Sequence, residues 1–66
     1  MKNTIKIERA INDLTQEELA IRVSVSRQTI NAMEANKYVP STVLALKISR
    51  IFKKPVEEVF ILEDDD

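Results

Sequence analysis

No cysteine and no histidine occur in this 66-residue chain. Disulfides, thiolate or imidazole metal sites and histidine-based acid/base catalysis therefore have no residues to use, and no cofactor is expected. Glycine is absent too, which removes the one residue that enters left-handed backbone conformations without steric cost. Any tight turn must be made by something else. Aromatic side chains are limited to one tyrosine and two phenylalanines. No apolar run approaches the roughly 18 residues of a bilayer span, and the N-terminus lacks a signal peptide's apolar core, so a soluble, cytoplasmic protein is expected. An enzyme is disfavoured, because the chain also lacks a glycine-rich phosphate loop and paired carboxylates in an obvious pocket.

What is present fits a single domain spanning residues 1–66. A chain this short buries a modest core, and with disulfides and metals excluded, self-association is the remaining means of adding stability. The formal net charge of −1 conceals an uneven distribution. Residues 1–56 hold all ten lysines and arginines against five acids, whereas residues 57–66 hold six acids and no base. A basic working face with an acidic tail kept away from it is the expectation. For the terminal "EDDD", a solvated solubility tail stands beside cation binding and nucleic-acid mimicry as a reading.

Helix starts punctuate the chain. "TQEE" places Thr15 at an N-cap with Glu18 three residues on, a reciprocal capping box. Ser26 can cap the next helix and Ser41, just after Pro40, the one after that. Pro55 suits the first position of a last short helix, with Glu57 and Glu58 in the turn where the dipole favours negative charge. Leu19, Ala20 and Val23 share one face, as do Ile30, Ala32 and Met33. Val43, Leu44, Leu46, Ile48, Ile51 and Phe52 form a wide stripe expected to mark the central core helix. In "IKIERAINDL", Ile5 and Ile7 alternate like a strand, while Ile7, Ile11 and Leu14 fit a helix; a helix from Ile5 to Asn12 after a short extended piece is preferred. Phe60 to Leu62 reads as a short strand.

Short connections force neighbouring helices to pack at steep angles, and the segment from about 16 to 35 has the spacing of a helix-turn-helix. The stretch "LTQEELAIRVSVSRQTINAMEANKYVPSTVLALKISRIF" resembles the Xre/Cro and phage-repressor-type transcriptional regulators, particularly small stand-alone members of the cytolysin-repressor type. The resemblance covers nearly the whole chain. It implies an all-α, five-helix, lambda-repressor-like DNA-binding domain, a small two-stranded β element joining the chain ends, and a two-fold dimer. It also implies a salt bridge between Arg9 and Glu34 that pins the first helix to the end of the third. Removing one partner of a buried pair costs about 3 to 5 kcal/mol.

In this motif the recognition helix enters the major groove with its N-terminal residues towards the bases. Arg27, Gln28 and Asn31 fall on the outer side of the third helix, opposite Ile30 and Met33. Arginine pairs bidentately with guanine, and glutamine or asparagine with adenine. These three are therefore candidate base readers, against the plain alternative of a polar solvent face. Gln16 stands where a helix start favours an anion, and the resemblance makes it a backbone clamp that also reaches bases or braces Gln28. Ser26, Thr29, Asn36, Lys37, Tyr38 and Ser41 are the other candidate phosphate contacts. The C-terminal apolar run of Phe52, Val59, Phe60, Ile61 and Leu62, most of it in a dimerisation segment and acidic tail of about residues 55–66, offers a surface for self-association, with a hydrophobic lid on the monomer as the alternative for Phe52 and Val59.

Relatives of this type usually carry glycine where Ser24 and Asn36 stand, and often where Asp13 stands. Asn and Asp tolerate left-handed geometry through local side-chain hydrogen bonds. Serine does so less well, at about 1 kcal/mol relative to glycine. The expected function is a homodimeric regulator, a repressor that reads a pseudo-palindrome in double-stranded DNA. The alternative is an antitoxin or co-regulator that uses the same fold to bind protein. No small-molecule ligand or membrane partner is indicated.

Overall fold

The computed structural model describes residues 1–66 and contains five helices and a two-stranded sheet. In chain order these are β1 (Lys2–Asn3), α1 (Ile5–Ile11), α2 (Gln16–Val23), α3 (Arg27–Glu34), α4 (Thr42–Phe52), α5 (Val56–Val59) and β2 (Phe60–Ile61). The strands pair antiparallel, Lys2 opposite Ile61 and Asn3 opposite Phe60, so the chain ends are joined. No helix is long and apolar enough to cross a membrane.

The start signals act as the sequence suggests. Thr15 accepts from the Glu18 amide at 3.0 Å, and Glu18 returns the bond by accepting from the Thr15 amide at 3.0 Å. Ser26 accepts from the Thr29 amide and Ser41 from the Leu44 amide, both at 3.2 Å. Each cap satisfies one of the amide donors that a helix start leaves unpaired. Pro55 lies one position earlier than expected, as the N-cap of α5 in extended geometry.

Helices α1 to α4 all end in one way, and none uses glycine. Asp13, Ser24, Asn36 and Lys53 adopt φ of 55°, 60°, 60° and 55°. In each case the next residue's amide bonds to a carbonyl five residues back: Leu14 to Arg9, Val25 to Ala20, Lys37 to Ala32 and Lys54 to Ser49. The left-handed residue itself bonds three back, to Ala10, Ile21, Met33 and Arg50 respectively. Together these are the two bonds of a Schellman motif, which satisfies the orphan carbonyls at a helix end. Ser24 thus does take the left-handed conformation. Lys53 is a fourth such position that the sequence did not signal.

Ile5, Leu14, Leu19, Ala20, Val23, Ile30, Met33, Leu44, Ile48, Phe52, Val59 and Phe60 form one continuous buried cluster. Full burial of an aliphatic side chain of this size stabilises by about 1.5 to 3 kcal/mol. Two expected stripes are corrected. In α1, Ile7 and Ile11 are exposed, and the buried face carries Ile5 and Glu8. In α4, Val43 and Leu46 are exposed; the inward face is Leu44, Ile48, Ser49 and Phe52, with Ile51 half-buried. The sequence stripe was wider than the contact it makes, because α4 is covered on one side only. Val43 and Leu46 instead line a shallow surface groove with Lys47 and Arg50.

Phe52, Val59 and Phe60 are also corrected as self-association residues. The core of the single chain takes all three, at 5%, 0% and 7% exposure, and only Ile61 and Leu62 remain outside. Nor is the acidic tail simply detached in solvent. The Glu63 and Asp66 carboxylates lie 3.2 Å and 2.9 Å from the Met1 amino group, and Asp66 accepts from the Glu63 amide at 2.8 Å.

Candidate nucleic-acid interface

The site is built on two helices held at a fixed angle by three residues, Ser24, Val25 and Ser26. Ser24 ends α2, half-buried Val25 packs against the core, and Ser26 caps α3. Leu19, Ala20 and Val23 of α2 meet Ile30 and Met33 of α3 in the core. Ala20 is 2% exposed, and a small side chain there lets the two backbones approach closely. With Ile30 and Met33 turned inward, Arg27, Gln28 and Asn31 are exposed and line a common hollow of about 180 Å³ on the outer face of α3.

A chain of polar contacts runs behind that face. Arg9 Nε donates to Glu34 Oε2 at 2.6 Å and its terminal nitrogen to Oε1 at 3.1 Å, a bidentate pair that joins α1 to the end of α3. Its other terminal nitrogen donates to the Leu14 carbonyl at 3.0 Å, which ties the α1–α2 turn to the same group. Hydrogen bonding to Glu34, its largest perturbation, holds the Arg9 guanidinium above the usual arginine range, against the opposing effect of burial. Gln16 Nε2 lies 3.2 Å from Glu34 Oε1 and 3.3 Å from Asn31 Oδ1. Gln16 therefore braces Asn31 rather than Gln28.

The other candidate contacts occupy the edges. The Ser26 and Thr29 hydroxyls share a hydrogen bond at 3.0 Å at the start of α3. Asn36, Lys37 and Tyr38 are exposed in the α3–α4 connection, and Ser41 is exposed at the start of α4. The Ser41 oxygen already accepts the Leu44 amide, which leaves its hydroxyl hydrogen for an outside acceptor. Asn36 Oδ1 accepts from Asn3 Nδ2 at 3.4 Å, and the same Asn3 nitrogen donates to the Met33 carbonyl at 2.8 Å.

Local sequence reading gives almost no signal for two supports. Asn3 ties β1 to the C-terminal end of α3 across 30 residues of chain. Glu8, buried in α1, pairs with Lys54 beyond α4. The single local hint was Glu8 lying three residues after Ile5, on what became the buried face.

Two helices joined by three residues, the second presenting an exposed polar face, define a helix-turn-helix domain. A profile of the helix-turn-helix family matches residues 5–59, and the chain belongs to that family, in the Xre-like branch its sequence resembles. It is 53% identical over 66 residues to an uncharacterized HTH-type transcriptional regulator of Methanocaldococcus jannaschii, with the whole of both chains covered. It is 47% identical over 66 residues to the uncharacterized HTH-type transcriptional regulator YgzD of Bacillus subtilis, again covering both chains fully. A similarly described regulator of Archaeoglobus fulgidus is 47% identical over 66 residues, covering all of this chain and 93% of that one.

Proposed function

We propose that the protein is a sequence-specific double-stranded DNA-binding transcriptional regulator, with α3 lying in the major groove. The observation that carries this reading is the grouping of Arg27, Gln28 and Asn31 on one exposed face while Ile30 and Met33 lock that helix into the core. The naming of full-length relatives as HTH-type transcriptional regulators supports it. Three side chains read too few base pairs for a specific address, so a homodimer on a two-fold-related site is the working form. Such an operator within a promoter would exclude polymerase, which makes repression the proposed mode.

Ser26, Thr29, Asn36, Lys37, Tyr38 and Ser41 would hold the phosphates on either side of the groove, with the amides at the start of α2. The test is selection of bound sites from random duplex DNA, followed by titrations across salt. Recovery of a two-fold-related sequence is expected. Gln28→Ala should abolish preference at one base pair per half-site, whereas Lys37→Ala should weaken all sequences alike and lower the salt slope by about one. Recovery of no sequence, with affinity following salt alone, would refute base reading.

A further inference from the structure

We infer that Gln16 is a positioning residue that fixes the amide of Asn31 so that its NH₂ group faces the DNA, which makes Asn31 a reader that rejects cytosine. The inference rests on the proposed DNA-reading role of α3 and specifies what one reader on that face recognises.

The polarity follows from a chain of donors and acceptors that starts at a charge. Both Glu34 oxygens accept from the Arg9 guanidinium, so Oε1 meets its other neighbours as an acceptor. The Gln16 atom 3.2 Å from Glu34 Oε1 must then be the amide nitrogen, Nε2. An NH₂ group only donates. The Asn31 atom 3.3 Å from that same nitrogen must therefore be its oxygen, Oδ1. Both amide orientations are set by the Arg9 charge, two links away from Gln16 and three from Asn31.

Two consequences follow for recognition. Gln16 spends both hydrogens of Nε2 inside the protein and presents only its oxygen, an acceptor, so its side chain has no donor for a phosphate. Its part in phosphate binding is then confined to its backbone amide. Asn31 presents Nδ2, a donor edge, which suits guanine O6 and N7, adenine N7 or thymine O4. Cytosine offers its N4 amino group in the major groove, where donor would face donor.

The relay can be tested without DNA. In the free protein, the Gln16 side-chain amide hydrogens should exchange with solvent more slowly than those of Gln28, as seen by nuclear magnetic resonance; equal rates would overturn it. On DNA, the base pair read by Asn31 is the one whose preference vanishes in Asn31→Ala. At that position cytosine should bind about 5- to 100-fold more weakly than the preferred base. Gln16→Ala should remove that penalty there and leave the position read by Arg27 unchanged, whereas a purely structural role would weaken every position together. Asn31→Asp, which offers only acceptors, should turn the preference at that position towards cytosine. Selection of cytosine by the native protein, or an unchanged base profile in Gln16→Ala, would overturn the inference. A slow Gln16 amide in a protein that selects no sequence would keep the relay but overturn the DNA reading, and the base preference with it.

Discussion

At the scale of single residues, the ion pairs and caps give stability an acid limb and an alkaline limb. The Glu18 carboxyl is held below the usual carboxylate range by the Thr15 backbone amide first and the Thr15 hydroxyl second. Stability from a carboxyl depressed in the folded state is complete above its ordinary value and is lost as pH falls through the folded value. The Lys54 ammonium is raised, chiefly by its hydrogen bond to Glu8. Its contribution is complete below the ordinary lysine value and is lost as pH climbs through the raised one. Urea unfolding across pH should therefore show Glu18→Gln with a flatter acid limb than the native chain. Lys54→Met should have a flatter alkaline limb and be less stable at neutral pH, because Glu8 stays buried without its partner. An unchanged pH profile in both variants would remove these two pairs from the account.

At the scale of elements, the helix starts were legible and the helix ends only partly so. An N-cap is a local hydrogen bond between a side chain and an amide three residues away, so Thr15, Ser26 and Ser41 could be read directly. A Schellman end is announced chiefly by glycine, and with none present Ser24, Asn36 and Asp13 were recognised through resemblance. Lys53 had no such guide. Lysine gains nothing locally from a left-handed backbone, so Lys53→Gly should stabilise the fold by about 1 kcal/mol, with a smaller gain for Asn36→Gly, measured by denaturant midpoint. A loss of stability in Lys53→Gly would mean that its side chain contributes more than its backbone strain costs. The inward faces of α1 and α4 were misread for a different reason. Periodicity marks every apolar residue near the stripe, but Ile7, Ile11, Val43 and Leu46 lie outside the area that neighbouring elements cover. The exposed polar face of α3 follows from helical spacing, whereas the contact of Gln16 with Asn31 depends on the crossing of α2 and α3.

At the scale of the whole molecule, β1, α5 and β2 close the chain on itself, and this closure limits what remains for a second copy. Ile61 and Leu62 are 42% and 77% exposed, the first in and the second just beyond a strand whose other residue, Phe60, is core. Self-association through this end should be tested by Leu62→Asp, which leaves the buried cluster untouched, rather than by truncation through Phe60. Sedimentation should show dimers for the native chain and monomers for the variant, with equal helix content; dimers in both would place the contact elsewhere. The three-residue joints set a further limit, on changes in chain length. Asp13–Leu14–Thr15, Ser24–Val25–Ser26 and Lys53–Lys54–Pro55 each run from a left-handed residue directly to an N-cap. None has slack. A residue inserted after Ser24 would have to break the Schellman bonds or rotate α3 by about 100° about its axis, turning Arg27, Gln28 and Asn31 away from the face they now share. The connection from 35 to 41 between α3 and α4 is longer. Viable insertions and deletions among descendants of this chain should therefore collect in that connection and beyond Leu62, and be absent from the joint that orients α3.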